Sequence, residues 1–162
     1  MNIYILRHGE SKYNANPLDD IIDCPLTSLG IEQSTYLDKS SYPKHYSLII
    51  SSPLRRCLDT IKLSKINSDH FEINDLFREI YSGCKSDLLY DNEFISIENE
   101  QFIQERIKRI NDYLYKKKEL NISNILIVTH ADLVWYLTSY EINGERFGTW
   151  LNNAQLFHWK QI

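Results

Sequence analysis

The chain has 162 residues, enough for one domain with a sizeable core, and its 43% hydrophobic and 25% charged content excludes global disorder. A formal net charge of −4 argues against broad, nonspecific nucleic-acid binding and leaves room only for a local basic pocket. The three cysteines, Cys24, Cys57 and Cys84, lack a CxxC spacing, so neither a disulfide framework nor a metal site is expected; no apolar run reaches a signal core or a membrane span, and a reducing, cytoplasmic setting without membrane partners is the expectation.

The first apolar run, Ile3-Tyr4-Ile5-Leu6, is continuous and rich in β-branched residues, the pattern of a strand buried on both faces. It ends abruptly in Arg7-His8-Gly9-Glu10. Gly9 suits a close backbone approach or a strained turn, and Glu10 suits local hydrogen bonding. Next, CPLTSLGIEQSTYLDKS predicts a helix capped by Thr27 or Ser28, with Ile31 and Tyr36-Leu37 turned inward. A second strand-like run, Ser47-Leu48-Ile49-Ile50, leads into SSPLRRCLDTIKLSK. There Ser52 reads as an N-cap and Pro53 as the first helical residue, with Leu54, Cys57, Leu58 and Ile61 on one face. Arg55 reads as solvated or as a rim contact.

The stretch from Ser82 to Asn99 shows no regular period and is expected to be irregular. A longer helix follows from about Glu98 to Glu119, carrying Phe102, Ile103, Ile107, Ile110 and Leu114 on its apolar face. Its last turn, Lys116-Lys117-Lys118, complements the negative pole of the helix dipole and reads as solvated rather than as a binding patch. The third apolar run, Asn124-Ile125-Leu126-Ile127-Val128, meets a helix in THADLVWYLTSYE, where Trp135 and Tyr136 read as core packing. The tail Ala154-Gln155-Leu156-Phe157-His158-Trp159 alternates like an edge strand. Strands alternating with helices imply a layered α/β fold with a parallel core.

Each apolar run ends in residues suited to an anion. The first ends in Arg7-His8-Gly9-Glu10; the second ends in Ser51-Ser52 and enters a helix bearing Arg55 and Arg56; the third ends in Thr129-His130 and enters another helix. In open parallel sheets ligands bind beyond the carboxyl ends of the strands, and helix N-termini there offer free N–H groups. The expectation is one small pocket far more cationic than the molecule as a whole.

LRHGES with Asn14, then PLTSLGIEQ, SSPLRRCLDT, FREIYSG and VTHA, in this order, resemble the histidine phosphatase superfamily, which includes the cofactor-dependent phosphoglycerate mutases and many small phosphatases. The resemblance implies one phosphoglycerate mutase-like domain over residues 1–162, a three-layer α/β sandwich with a largely parallel central sheet flanked by helices. It also implies catalysis through a phosphorylated histidine with neither metal nor cofactor. It makes His8 the nucleophile, Arg7, Arg56 and Asn14 phosphate contacts, and His130 a second pocket histidine, catalytic and phosphate-binding, with Ala131 beside it. Glu79, placed before Gly83 in the family's ExxxG pattern, becomes the proton donor to the leaving oxygen. His45, His70 and His158 lie outside these blocks and read as non-catalytic.

The residue types suit that chemistry. Guanidinium forks hold two phosphate oxygens at once and offset the charge that repels a nucleophile. Cationic neighbours would keep the His8 imidazole neutral, and burial or a nearby phosphate charge would let Glu79 keep its proton near neutral pH. Two departures stand out against the resemblance. Ala131 replaces a common glycine and narrows the approach by a methyl group, and Gly83-Cys84-Lys85-Ser86-Asp87 replaces an acidic stretch and a larger helical insertion. A shorter insertion should leave the pocket open to water and bulky substrates, which favours hydrolysis of a phosphomonoester over mutase chemistry. The rival readings are a phosphohistidine or phosphoprotein phosphatase, a phosphoglycerate mutase, and a non-catalytic phosphate-binding module. The expected partner is a small-molecule phosphomonoester or a phosphoprotein, and no nucleic acid.

Overall fold

The three continuous apolar runs become neighbouring parallel strands. The structure is a computed structural model that describes residues 1–120 and 122–162. Strand β1 (Asn2–Arg7) pairs in parallel with β4 (Asn124–Thr129), Ile3 opposite Ile125 and Arg7 opposite Thr129. On the other side of β4 lies β2 (His45–Ser51), also parallel, followed by β3 (Asn67–Ile73). The tail forms β7 (Leu156–Gln161), antiparallel to β1, and the order across the sheet is β3-β2-β4-β1-β7. The expected edge strand at the carboxyl end is therefore present. The opposite edge, β3, carries no strand signal in the sequence: NSDHFEI has little apolar content, and Phe71 and Ile73 are exposed.

Helices cover both faces, which makes the three layers. Helix α2 (Ser28–Tyr36) and α3 (Arg55–Leu63) contact each other, and Cys57 and Ile61 of α3 pack with Leu6, Ile49, Leu126 and Val128 of the sheet. Opposite, Ile103, Ile110 and Leu114 of α4 (Glu100–Glu119) and Leu133, Val134 and Leu137 of α5 (Ala131–Thr138) meet Ile3, Ile5, Leu48, Ile50, Ile125 and Ile127. Each fully buried Ile or Leu contributes about 1.5–3 kcal/mol, so these two clusters dominate the stability of the sheet. A short helix α1 (Lys12–Ala15), capped by Ser11, and a hairpin of β5 (Tyr140–Ile142) and β6 (Glu145–Phe147) complete the elements.

Three local expectations are corrected. Helix α3 starts at Arg55 with Leu54 as its N-cap, because Pro53 belongs to a turn in which Ser52 Oγ accepts from the Leu54 N–H. On α2, Ile31 and Tyr36 face solvent while Gly30 and Ser34 are buried, since this face must approach backbone and not a side-chain core. Phe102, at the start of α4, is likewise exposed. The segment after Ser82 is irregular as expected, apart from a single 3-10 turn at Lys85–Asp87. A buried, two-pronged Arg78–Glu93 pair at 2.7 and 3.0 Å ties it down. Among the described residues, no helix is long and apolar enough to cross a membrane.

Candidate active site

The loop after β1 is fixed by backbone contact. A Cβ on Gly9 would lie 2.5 Å from the Gly30 carbonyl oxygen, and one on Gly30 would lie 2.0 Å from that of Glu10, so neither position tolerates a side chain. The Gly9 N–H donates to Thr60 Oγ1 of α3 at 2.9 Å. Glu10 acts locally, its carboxylate accepting from Thr27 Oγ1 at 2.7 Å. This clamp between α2 and α3 holds His8 at the strand end.

His8 is 2% exposed, yet it lines a cavity of about 190 Å³ at the carboxyl end of the sheet. Its Nδ1 lies 2.6 Å from the Gly9 carbonyl oxygen, which can only accept, so Nδ1 carries the proton. Nε2 is then the lone-pair nitrogen, and it accepts from Arg56 Nε at 3.2 Å. Burial first, then the Arg56 charge, pushes the imidazole well below its ordinary pKa and keeps it neutral. Burial thus outranks the cations to which the sequence points.

Both expected arginines line the cavity, each anchored by the protein. Arg56 donates through Nη1 to the Ser86 carbonyl at 2.7 Å and through Nη2 to Asp87 Oδ1 at 2.6 Å. Arg7 donates through Nη1 to the Leu151 carbonyl at 2.7 Å, and its Nε is buried with no hydrogen-bond partner among the described residues. An unpaired buried donor costs about 1–3 kcal/mol, a cost that an anion in the cavity would offset. The cavity is not strongly cationic, which corrects the sequence expectation. Asp87, Asp132 and Glu79 also line it, and both histidines are held neutral.

Glu79 sits where β4 gives way to α5. Its Oε1 accepts from the Ile80 N–H at 2.9 Å and the Leu133 N–H at 3.0 Å, so the first turn of α5 holds a protein carboxyl group. Burial, reinforced by the Asp132 and Asp87 charges, raises its pKa to about 7. A carboxyl group tuned this way can hold or release a proton at neutral pH. Ala131, the first residue of α5 and two residues ahead of Leu133, also lines the cavity.

His130 differs from expectation. It is fully buried and does not line the cavity; its ring stands edge-on to that of His8, with centroids 5.1 Å apart. Ser52 Oγ lies 2.8 Å from its Nε2 and Cys57 Sγ 3.5 Å from the same nitrogen, so residues before and within α3 close around the ring. Asn14 does reach the cavity; its Oδ1 accepts from the Ser11 N–H and from Asn153 Nδ2, leaving the amide N–H₂ as the group to offer an anion. Arg55 is exposed and pairs with Asp59. His45 pairs with Asp69 at the surface, and His158 packs on Tyr4.

Sequence reasoning missed Asp87, Asp132, Tyr13 and Trp150 as parts of this wall. Asp132 follows the VTHA block directly, and Asp87 stands in the stretch that departs from the family pattern, so both are in view without a sign of where they point. Trp150 lies far along the chain from every block and carries no signal.

Comparison with known proteins agrees with this geometry. The model of the histidine phosphatase superfamily, branch 1, matches residues 3–156. A protein of Hydrogenobacter thermophilus named "Putative phosphoserine phosphatase 2" is 25% identical over 147 residues, covering 80% of this chain and 72% of that protein. The glucosyl-3-phosphoglycerate phosphatase of Mycolicibacterium vanbaalenii is 34% identical over 83 residues, 50% of this chain and 37% of that one. Among solved structures, a phosphoglycerate mutase from Bacillus anthracis superposes with a TM-score of 0.64 at 22% identity, covering 85% of this chain and 78% of its own. The alpha-ribazole phosphatase of Shigella flexneri gives 0.62 at 20%, over 95% and 97%. The fold is therefore that of the phosphoglycerate mutase-like proteins, and the chain belongs to the histidine phosphatase superfamily, branch 1.

Proposed function

We propose that the protein is a phosphatase that hydrolyses a phosphomonoester by way of a phosphohistidine on His8, with no metal ion taking part. The observation that carries this reading is the orientation of one ring. The Gly9 carbonyl oxygen fixes the proton on Nδ1, so Nε2 bears the lone pair, and in a ring that lines the cavity its partner is the Arg56 guanidinium. In the first step Nε2 forms a bond to phosphorus as the bond to the leaving oxygen breaks. Glu79 gives its proton to that oxygen. In the second step water attacks phosphorus, the Nε2–P bond breaks, and the Glu79 carboxylate takes the water's proton.

Arg7 and Arg56 would hold the phosphoryl oxygens, with the Asn14 amide and the Ala131 N–H as further donors. The unpaired Arg7 Nε and the neutral His8 support this assignment, because both suit a dianion in the cavity. His130 acts here as a positioning residue through the ring of His8. Phosphatase-named relatives favour hydrolysis over the mutase reading. The carboxylates at the cavity wall weigh the same way, since a glycerate substrate would bring its own carboxylate beside Asp132. The test is steady-state turnover of p-nitrophenyl phosphate with and without a chelator. Phosphate release unaffected by the chelator is expected. Loss of turnover with the chelator would overturn the metal-free mechanism, and absence of turnover between pH 5 and 8 would favour the phosphate-binding module.

A further inference from the structure

Beside the phosphate cavity lies a second one, a trough of about 430 Å³ walled by Trp135, Tyr136 and Trp150 and floored by Ile80 and Ile103. The two are continuous: Ile80, Ser82, Asp132 and Trp150 line both. Glu79 lines the phosphate cavity and not the trough, and the trough begins at its neighbour Ile80, so a leaving group that passes the shared residues enters the trough. We propose that this trough receives the alcohol portion of the substrate, and that this portion carries a planar aromatic ring and no carboxylate. The inference rests on the phosphatase reading above and names its substrate class.

The walls select for rings. Trp150 is 58% exposed even though it stands at the cavity mouth, with the Arg7 guanidinium carbon 5.8 Å from its ring centre. Trp135 is half-buried and meets Tyr136 edge-on at 5.0 Å; Tyr136 packs against the core as expected, whereas Trp135 stands outside that cluster and walls the trough. Large aromatic faces left open to water beside a reaction centre gain most from a flat apolar partner. Arg7 approaches the Trp150 ring, Arg146 the Tyr136 ring and Gly148 the Trp135 ring, and the surface these leave open is the one that lines the trough.

The charges select against acids. No lysine or arginine lines the trough, and its charged residues are Glu98 and Asp132. Glu98 is settled by Arg106 at 3.2 Å and by the Tyr81 N–H at 3.0 Å. Asp132 is exposed and makes no ion pair among the described residues. Arg146 lies over the Tyr136 ring at 5.7 Å but is held by Glu100 and is outside the lining. A phosphorylated hydroxy acid or amino acid would place its carboxylate against Asp132, while Arg7, the cation beside Trp150, is engaged by the phosphoryl group. A neutral ring bearing a hydrogen-bond donor would find Asp132 an acceptor.

The experiment compares ethyl phosphate, (2-naphthyl)methyl phosphate and 3-phosphoglycerate as substrates, and binding of the corresponding ethyl and naphthylmethyl phosphonates by quenching of tryptophan fluorescence. The naphthylmethyl ester should exceed ethyl phosphate in kcat/KM by about tenfold or more, and phosphoglycerate should be the poorest. Trp135→Ala should shrink the naphthyl-to-ethyl ratio about 5- to 10-fold. Asp132→Asn should raise phosphoglycerate relative to the naphthyl ester, a ratio of two alkyl phosphates in which any effect through Glu79 cancels. Turnover of all three esters with no preference for the ring would overturn the trough while leaving hydrolysis standing. If none is turned over, the phosphatase reading falls, and the phosphonates still decide: equal affinity for the two would overturn the aromatic site, and tighter naphthyl binding would uphold it.

Discussion

The ends of β1 and β4 look alike in sequence and do different things. Both are central parallel strands, both finish in a polar residue and a histidine, and their last residues, Arg7 and Thr129, are register partners. The backbone joins them further, with the His8 N–H donating to the Thr129 carbonyl at 3.0 Å. Both rings are buried and both are held neutral, mainly by that burial. The two ends diverge one residue later. After His8 comes Gly9, whose carbonyl accepts from Nδ1–H, and Nε2 accepts from Arg56, itself a residue of the cavity wall. After His130 comes a helix, and Ser52 and Cys57 close on its Nε2. Burial makes an imidazole neutral; only the partner of each nitrogen decides whether its lone pair can reach a substrate.

The largest test of that contrast is His8→Ala, which should lower kcat/KM by at least about 10⁴-fold while the circular dichroism spectrum stays native. Near-native turnover would transfer the nucleophile elsewhere. Next comes Glu79→Gln. With an alkyl phosphate, whose leaving oxygen needs a proton, the loss should be about 10²- to 10³-fold. With p-nitrophenyl phosphate it should be under about tenfold, because nitrophenolate departs unaided. Equal losses on both esters would make Glu79 structural. For the wild type on an alkyl phosphate, kcat/KM should fall as pH rises through about 7, the pKa of Glu79, since the donor must be protonated. His8, neutral across this range, contributes no acid limb there.

A smaller effect is expected at β4. His130→Asn should cost about 10- to 100-fold, confined to kcat with phosphonate affinity nearly unchanged, as suits a residue that positions the His8 ring. A loss as deep as that of His8→Ala, or a matching loss of phosphonate affinity, would erase the contrast between the two strand ends. The smallest effect is on stability. Glu79 has a folded pKa of about 7 against an ordinary value of 4.5, so the folded state holds the extra proton. Its contribution is fully present below 4.5 and is lost as pH rises through 7. Glu79→Gln keeps a carbonyl acceptor for the α5 N–H groups and removes the titration. Between pH 5 and 8 the variant should therefore lose less stability than the wild type, by about 2–3 kcal/mol in denaturant titrations.

The parts of the fold legible in the sequence are those set by periodicity and short-range motifs. Strands β1, β2 and β4 announce themselves as continuous apolar runs because both faces of each are covered. Gly9 announces the close approach, although its partner Gly30, on a helix face that reads as apolar, does not. Strand β3 escapes notice because an edge strand needs few apolar residues. Helix α2 reads with Ile31 inward because periodicity cannot see that backbone packs against Gly30 and Ser34. In the site, the motif-bearing residues Arg7, His8, Asn14, Arg56, Glu79 and Ala131 converge on one cavity. The charge balance does not come through, because Asp87 reaches Arg56 from thirty-one residues away through an irregular loop. Trp150 and the trough arise from long-range packing that no local pattern encodes.

The most direct test of the phosphoryl transfer is to quench the enzyme within one turnover of an alkyl phosphate under conditions that preserve P–N bonds, and to locate the phosphoryl group by peptide fragmentation and phosphorus NMR. The geometry predicts a single phosphorylated residue, His8, modified on Nε2. A phosphoryl group on any other residue or on Nδ1, or an enzyme that turns over without ever carrying one, would contradict the account.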